Sequence, residues 1–391
     1  MTPPATLPAT PNSSGTLRVS LDVSAVPINP AGAGRYTIEL TRALARRDDV
    51  ELVLISRDND SKRWECEYEL LDRVPSLRPI RLVWEQTMMP RLIRSSGAVV
   101  HHGPHYTMPI RSQIPNVVTI HDCTFFDHPE WHERTKVVFF RRAISVAARK
   151  ADAIVCVSKH TADRLSQLCD VRAPVIVAPH GLDHLRFTQF EPEAGSDANE
   201  LNKLGLEASS PLIVFVGTLE PRKGITTLLE AFRLIAGKHR EAQLVLAGQM
   251  GWGMDETAHS IENGPYKERI IHVGYVREAA VPALLRSAQV VVYPALEEGF
   301  GLPALEAMAC GARLITTEGT VMAEAARGVA DLAPPGDVHA LADLIDTALV
   351  EGVHAKRNEE LRAKGIAIAS ESTWEASAAL HRSAYQRALG S

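Results

Sequence analysis

Val290-Val291-Val292-Tyr293-Pro294, followed by Glu298-Gly299-Phe300-Gly301-Leu302-Pro303-Ala304-Leu305-Glu306 and then Ala307-Met308-Ala309-Cys310-Gly311, reads in turn as a buried strand, a glycine turn and a helix with proline near its first position. Such a unit sets a strand's carboxyl end beside a helix's amino end. Free backbone N–H groups and the positive end of the helix dipole meet there, and glycines let the backbone approach a bound group, so anions and sugar hydroxyls are the expected ligands. Glu298 falls in the turn as a hydrogen-bond acceptor. Glu306, eight positions on, lies about two turns into the helix and would reach a second part of the same ligand. The spacing alone fits a capped helix with two surface glutamates equally well.

Upstream, Pro211-Leu-Ile-Val-Phe-Val-Gly217-Thr-Leu-Glu-Pro-Arg222-Lys223-Gly224 repeats the scheme, and a helical pattern runs on from Ile225 to Ala236. Adjacent arginine and lysine at a strand end suit a diphosphate, because the guanidinium fork binds oxygens in pairs and the ammonium acts as a point charge. The segment lacks the Gly-x4-Gly-Lys-Ser/Thr order of a P-loop, which disfavours an NTPase.

The same alternation fills the chain. Leu17 to Val23, Val50 to Ile55, Ala98 to His102, Asn116 to His121, Ala153 to Ser158 and Val175 to Ala178 read as strands, with helical patterns at Tyr36 to Arg46, Phe139 to Lys150 and Thr161 to Leu168. A second series of strands, each trailed by a helix, starts near Leu212, Gln243, Ile270, Val290 and Arg313. Alternation of this kind predicts two Rossmann-like, doubly wound α/β domains. The expected layout is a disordered tail over 1–16, a first domain over 17–190, a polar linker over 191–210, a second domain over 211–371 and a C-terminal helical segment over 372–391.

A chain of 391 residues is long for one core and comfortable for two. The net charge of −5 gives no general attraction to nucleic acid. The cysteines Cys66, Cys123, Cys156, Cys169 and Cys310 are odd in number and form no Cys-x-x-Cys pair, so reduced thiols are expected rather than a disulfide framework or a zinc site. The first sixteen residues lack the basic start and apolar middle of a signal peptide, and no window has the length of a membrane span. A soluble, cytoplasmic protein is the expectation.

Taken together, the carboxylate turn, the Gly-Thr-Leu-Glu-Pro-Arg-Lys-Gly turn, Gly32-Ala-Gly34-Arg35-Tyr-Thr37, His121-Asp122 and Val157-Ser158-Lys-His-Thr161 resemble, in their order, the motifs of glycosyltransferase family 4, from about Arg18 to Gln386. The Glu-Pro-Arg-Lys form of the phosphate loop looks most like the bacterial mannosyltransferase-type members. The resemblance implies a GT-B fold, with the two Rossmann-like domains facing across a cleft, an acceptor site on the first and a nucleotide-sugar donor site on the second. It implies a retaining, metal-independent hexosyl transfer from a GDP- or UDP-hexose to a hydroxyl of a glycan or lipid-linked glycan in cell-surface polysaccharide synthesis, with no further cofactor.

By the same resemblance His121, Arg222, Lys223 and Glu298 act in catalysis. Gly34, Gly217, Arg222, Lys223, Gly299, Phe300, Gly301, Leu302 and Glu306 hold the donor, while Gly32, Arg35, Asp122 and Ser158 stand by the acceptor or behind the site. Ser158 fits a helix cap as well as it fits a ligand contact. A non-catalytic binding paralogue and a nucleotide-sugar epimerase of the same fold are the rival functions. Two departures stand out against the family pattern: His180 where asparagine is usual, and Arg313 where proline is frequent.

Clustered histidines, His101, His102, His105, His128 and His132, form no His-Glu-x-x-His or Cys/His zinc spacing, so no metal site is expected. His132 to Lys150 alternates basic and apolar residues, which suits either a charged face over a core or peripheral contact with the inner face of a membrane.

Overall fold

Parallel strands need helical crossovers, which cover both faces of their sheet, and the apolar runs of this chain are buried accordingly. The computed structural model describes residues 15–28, 30, 32–64, 68–207, 209–251, 253–277, 279–352 and 356–390. Cys66 and all but the end of the 1–16 tail lie outside the described residues. The chain divides into two units, Met1–Gly181 with Trp374–Ser391, and Leu182–Thr373.

The first unit contains β1 (Leu17–Asp22), α1 (Ala33–Ala45), β2 (Val50–Arg57), β3 (Glu69–Val74), α2 (Arg78–Thr87), α3 (Met89–Ser95), β4 (Val100–Gly103), β5 (Asn116–Ile120), α4 (Thr124–Asp127), α5 (Arg134–Lys150), β6 (Ala153–Cys156), α6 (Lys159–Leu168) and β7 (Val175–Val177). Its strands form a parallel sheet in the order β3-β2-β1-β4-β5-β6-β7. Successive residues of β5 show the two-sided burial. Val117 belongs to a core with Tyr36, Leu40 and Leu44 of α1, whereas Val118 belongs to one with Phe125, Phe140, Ile144 and Leu165. The basic helix α5 therefore spends Val137, Phe140, Ile144, Ala147 and Ala148 on a core. Among the described residues, no helix is long and apolar enough to cross a membrane.

The second unit contains α7 (Ser196–Lys203), β8 (Leu212–Val216), α8 (Ile225–Ile235), β9 (Gln243–Ala247), α9 (Asp255–Asn263), β10 (Ile270–Gly274), α10 (Ala280–Ser287), β11 (Ala288–Tyr293), α11 (Leu302–Ala309), β12 (Leu314–Thr317), α12 (Val321–Ala326), β13 (Asp331–Ala333), α13 (Val338–Glu351) and α14 (Lys356–Ser370). Its sheet runs β10-β9-β8-β11-β12-β13, again parallel. The order reverses between β8 and β11.

One expectation is corrected here. Residues 191–210, read as a linker, fold into the second unit: they carry α7, and Leu201 and Leu206 are buried in its core. The cause is tertiary. Arg286 of α10 grips Asp197 of α7 with two hydrogen bonds of 2.7 Å and also donates to Thr188 O at 3.0 Å, contacts that local periodicity does not encode. Arg313, the second departure from the family pattern, is likewise spent on structure. Its side chain is 5% exposed and its guanidinium pairs with Asp331 at 2.9 Å and Glu351 at 2.7 Å.

The last helix, α15 (Trp374–Ala388), belongs to the first unit. Trp374, Ala378, Ala384 and Tyr385 share the core of α1 and β1. Five buried polar groups are threaded through that core in one directed chain. His381 Nδ1 bonds the Ser377 carbonyl at 2.7 Å, so it carries the proton, and Nε2 must accept from Tyr36 Oη at 2.7 Å. Tyr36 Oη then accepts from Thr119 Oγ1 at 2.9 Å, Thr119 from His102 Nε2 at 2.8 Å, and His102 Nδ1 from Tyr385 Oη at 2.9 Å. Each proton is used once, so the arrangement requires both histidines neutral. Burial supplies this condition: it lowers His381 to about 4 and holds His102 well below the usual histidine range.

Two stability predictions follow from these contacts. Arg313→Ala leaves Asp331 of β13 with the more exposed Arg357 as its remaining partner and should cost about 1.5 kcal/mol, read as a lower urea midpoint at unchanged slope. For His381 the folded-state value lies below the unfolded one near 6.5, so its contribution is complete above that pH and is lost as pH falls toward about 4. His381→Gln should flatten this acid limb by about 1.4 kcal/mol per pH unit, measured by urea titration across the range.

Candidate active site

Parallel sheets bind ligands beyond the carboxyl ends of their strands, at the point where strand order reverses. In the second unit that point lies between β8 and β11, and the two segments singled out in the sequence emerge from these strands. A backbone hydrogen bond from Leu296 N to Arg222 O, 2.8 Å, ties their loops together. Pro221, Arg222 and Lys223 form a short 3₁₀ turn. Gly224 follows at φ 68°, and a Cβ there would meet Pro294 O at 2.1 Å, so only glycine permits the two loops to pack. Gly301 caps α11 at φ 88°, with Met322 Cα 3.0 Å from a would-be Cβ.

Arg222, Lys223 and Glu298 meet. Arg222 Nη1 donates to Glu298 Oε2 at 3.0 Å and Nε to Glu220 at 2.8 Å, while the Lys223 ammonium pairs with Glu298 Oε1. Lys223 and Glu298 side chains are 11% and 12% exposed. The two cations expected to take a diphosphate therefore hold an internal carboxylate, and Glu298 with Glu220 largely compensates their charge. Glu306 is buried on α11, a little over one turn from the glycine that caps the helix. Its charge adds to burial in raising the Tyr293 phenol well above its ordinary value. Tyr293 Oη itself is buried with no hydrogen-bond partner among the described residues. The sequence reading used Tyr293 only as strand, since nothing local marks an orphaned hydroxyl. Gly217 directly follows β8, while Gly299, Phe300 and Leu302 stand in the turn and at the first position of α11.

In the first unit, His121 follows β5. Its Nε2 donates to the Pro104 carbonyl at 2.8 Å, and burial lowers its pKa. The neutral ring thus keeps its lone pair on Nδ1, which makes it an acceptor for a hydroxyl rather than an acid. It sits edge-on to Tyr36 at 5.0 Å. His180, the other departure from the family pattern, stacks on Tyr36 at 4.8 Å and on Trp374 at 5.8 Å. Asp122 and Ser158 are committed to turns and caps. Asp122 Oδ1 accepts from Thr124 N and Oγ1, and Ser158 Oγ accepts from Thr161 N at 3.1 Å. Gly32 caps α1, Arg35 is half-buried in its first turn, and Gly34 lines a pocket of about 360 Å³.

His101 and His102 lie in the core, His132 stacks on Phe125 and His128 on Trp131. Among the described residues, no group of three or more histidine, cysteine or carboxylate side chains could hold a metal ion.

Comparison with known proteins places both units. Residues 30–186 match the family model for Glycosyltransferase Family 4, and residues 196–367 that for Glycosyl transferases group 1. The Escherichia coli O-antigen chain mannosyltransferase B is 27% identical over 367 residues, covering 88% of this chain and 93% of the relative. Among solved structures, sucrose-phosphate synthase from Thermosynechococcus elongatus aligns with a TM-score of 0.74 at 20% identity, over 95% of this chain and 98% of the other. Anabaena HepE, solved with UDP-glucose, aligns with a TM-score of 0.73 at 18% identity, over 94% and 99%. Two family matches in succession along two parallel-sheet units leave one assignment: the chain belongs to the family 4 glycosyltransferases of GT-B fold and is similar to bacterial mannosyltransferases.

Proposed function

We propose that this glycosyltransferase moves a hexose, with mannose from GDP-mannose the first candidate, from a nucleoside diphosphate to a hydroxyl of a glycan or lipid-linked glycan in cell-surface polysaccharide synthesis, with retention and without a metal. The observation that carries the reading is the Arg222–Lys223–Glu298 cluster at the β8–β11 switch point. Similarity to the O-antigen mannosyltransferase supports the choice of sugar and pathway class.

The chemistry follows from charge. A diphosphate brings more negative charge than one carboxylate, so on entry it displaces Glu298 from Arg222 and Lys223. The cations then stabilise the charge that grows on the leaving group, which makes a divalent ion unnecessary. Released from its pairs, Glu298 accepts hydrogen bonds from hydroxyls of the donor sugar. Glu306, deeper on α11, takes the ribose hydroxyls, and neutral His121 accepts from a sugar hydroxyl through Nδ1. Retention arises by attack from the face the leaving group departs, with the acceptor's proton passing to the leaving diphosphate. Neither glutamate serves as a covalent nucleophile.

The exchange is tested by separating nucleotide binding from turnover. In a metal-free thermal-shift panel of GDP, UDP and ADP, one nucleotide at about a hundred times its Kd should stabilise the wild type by about 2.7 kcal/mol and should not stabilise Arg222→Ala/Lys223→Ala. Glu298→Gln removes the competing carboxylate. It should bind the same nucleotide at least as tightly, while transfer from the corresponding nucleotide sugar falls by about 10²–10³. Loss of nucleotide binding in Glu298→Gln would refute the exchange, and no stabilisation of the wild type by any nucleotide would refute the nucleotide-sugar reading itself.

A further inference from the structure

The pocket of about 360 Å³ in the first unit falls in the size range of small-ligand sites, and beside Gly34 and Thr37 of the glycine loop its lining holds charged residues that no motif marks. Asp22 ends β1, Arg81 and Glu85 lie one turn apart on α2, Thr107 follows β4, and Phe139 and Phe140 of α5 supply aromatic surface. Glu85 is 5% exposed. A charged side chain that deep is costly unless it serves a partner.

From these residues we infer that Asp22, Arg81 and Glu85 determine specificity for the acceptor, and that the pocket takes one neutral, hydroxyl-rich sugar ring at the end of a saccharide. The inference rests on the glycosyltransferase reading above.

The ligand class follows from the inventory of donors and acceptors. Two carboxylates and one guanidinium leave the lining with a net negative charge of at most one, reduced when Glu85 is protonated. A phosphate would meet the carboxylates, which argues against the nucleotide, and a free amine would meet Arg81. A polyol needs acceptors for its O–H groups and donors for its oxygens, and the lining offers both. Arg81 is held in place by a 2.8 Å bond from Nη1 to Ser24 O, and Asp22 Oδ1 by the Ser24 amide at 2.9 Å. Glu85 Oε2 accepts from Thr107 Oγ1 at 3.1 Å, and Oε1 from Gln86 Nε2 at 3.1 Å. Pre-set groups of this kind keep their geometry when a ligand arrives. The aromatic rings face the apolar C–H surface of a sugar rather than its hydroxyl edge.

Around Glu85, the charged or titratable neighbours are Asp22 from β1, Arg81 from α2 and His105 from the loop after β4. His105 is neutral, because burial lowers it to about 3. Burial first, and the Asp22 charge second, raise Glu85 to about 7. Near neutral pH its carboxyl therefore exchanges between donor and acceptor, and acceptor affinity depends on pH.

The test uses the full chain and two probes. Binding of an aryl α-mannoside and aryl α-glucoside panel is measured by saturation-transfer NMR, and binding of GDP and UDP by thermal shift. Wild type should bind a glycoside with an affinity that changes at least about threefold between pH 6 and 8. Glu85→Gln should weaken glycoside binding about tenfold and remove the pH dependence, while the nucleotide shift stays as in wild type. Phe139→Ala, which leaves the buried carboxylate untouched, should also weaken the glycoside and spare the nucleotide. Unchanged glycoside binding in both variants, or no glycoside binding by wild type, overturns the inference while leaving the nucleotide result intact. Joint loss of glycoside and nucleotide in Phe139→Ala, with the fold retained by circular dichroism, overturns it in favour of a nucleotide pocket. Absence of any nucleotide shift in wild type is the separate failure of the donor reading.

Discussion

Strands that are covered on both faces can offer chemistry only where they end. That constraint organises both units of this chain. β5 and β6 are buried along their whole length, and His121 is the residue at which β5 leaves the core. In the second unit β8 and β11 are neighbours without being consecutive, so their following loops diverge to helices on opposite sides and leave room between them. Into that room the chain places glycines, two cations and a carboxylate. The Arg222–Glu298 and Lys223–Glu298 pairs hold its side chains in place, because each charge would otherwise stand half-desolvated without a partner.

The first unit answers the same constraint differently. Its buried polar groups, from Tyr385 through His102, Thr119 and Tyr36 to His381, engage one another so that every donor proton among them is used. Such a chain adds specificity to a core that apolar packing alone would tolerate in several arrangements. A partly filled network would be worse than an apolar one, so the five residues act as a set.

Much of this was legible in the sequence because apolar runs and glycine turns are local signals. Val290–Tyr293, Leu212–Val216 and Asn116–Ile120 announce themselves as strands, and the convergence of Arg222 and Lys223 with Glu298 is implied by two like segments at neighbouring strand ends. The segment 191–210 was misread because α7 owes its place to Arg286 and to the burial of Leu201, neither visible in its own composition. β3, Glu69-Leu-Leu-Asp-Arg-Val74, is a polar edge strand and went unnoticed. Glu85 was passed over for a plainer reason: a lone glutamate in an amphipathic helix reads as solvated until the fold shows it buried. Ser158 had two readings, and its bond to Thr161 N accounts for it as a cap.

The placement of α15 carries a consequence for how the protein is made. The first unit draws part of its core, Trp374, Ala378, Ala384 and Tyr385, from the far side of the whole second unit in sequence. During synthesis the ribosome must therefore release all of residues 182–373 before α1 and the first sheet can close over their own interior. The second unit, continuous in sequence, can finish first. The half of the molecule that emerges earliest is thus the later one to mature, and until then it waits with an apolar face uncovered, where a chaperone would find it.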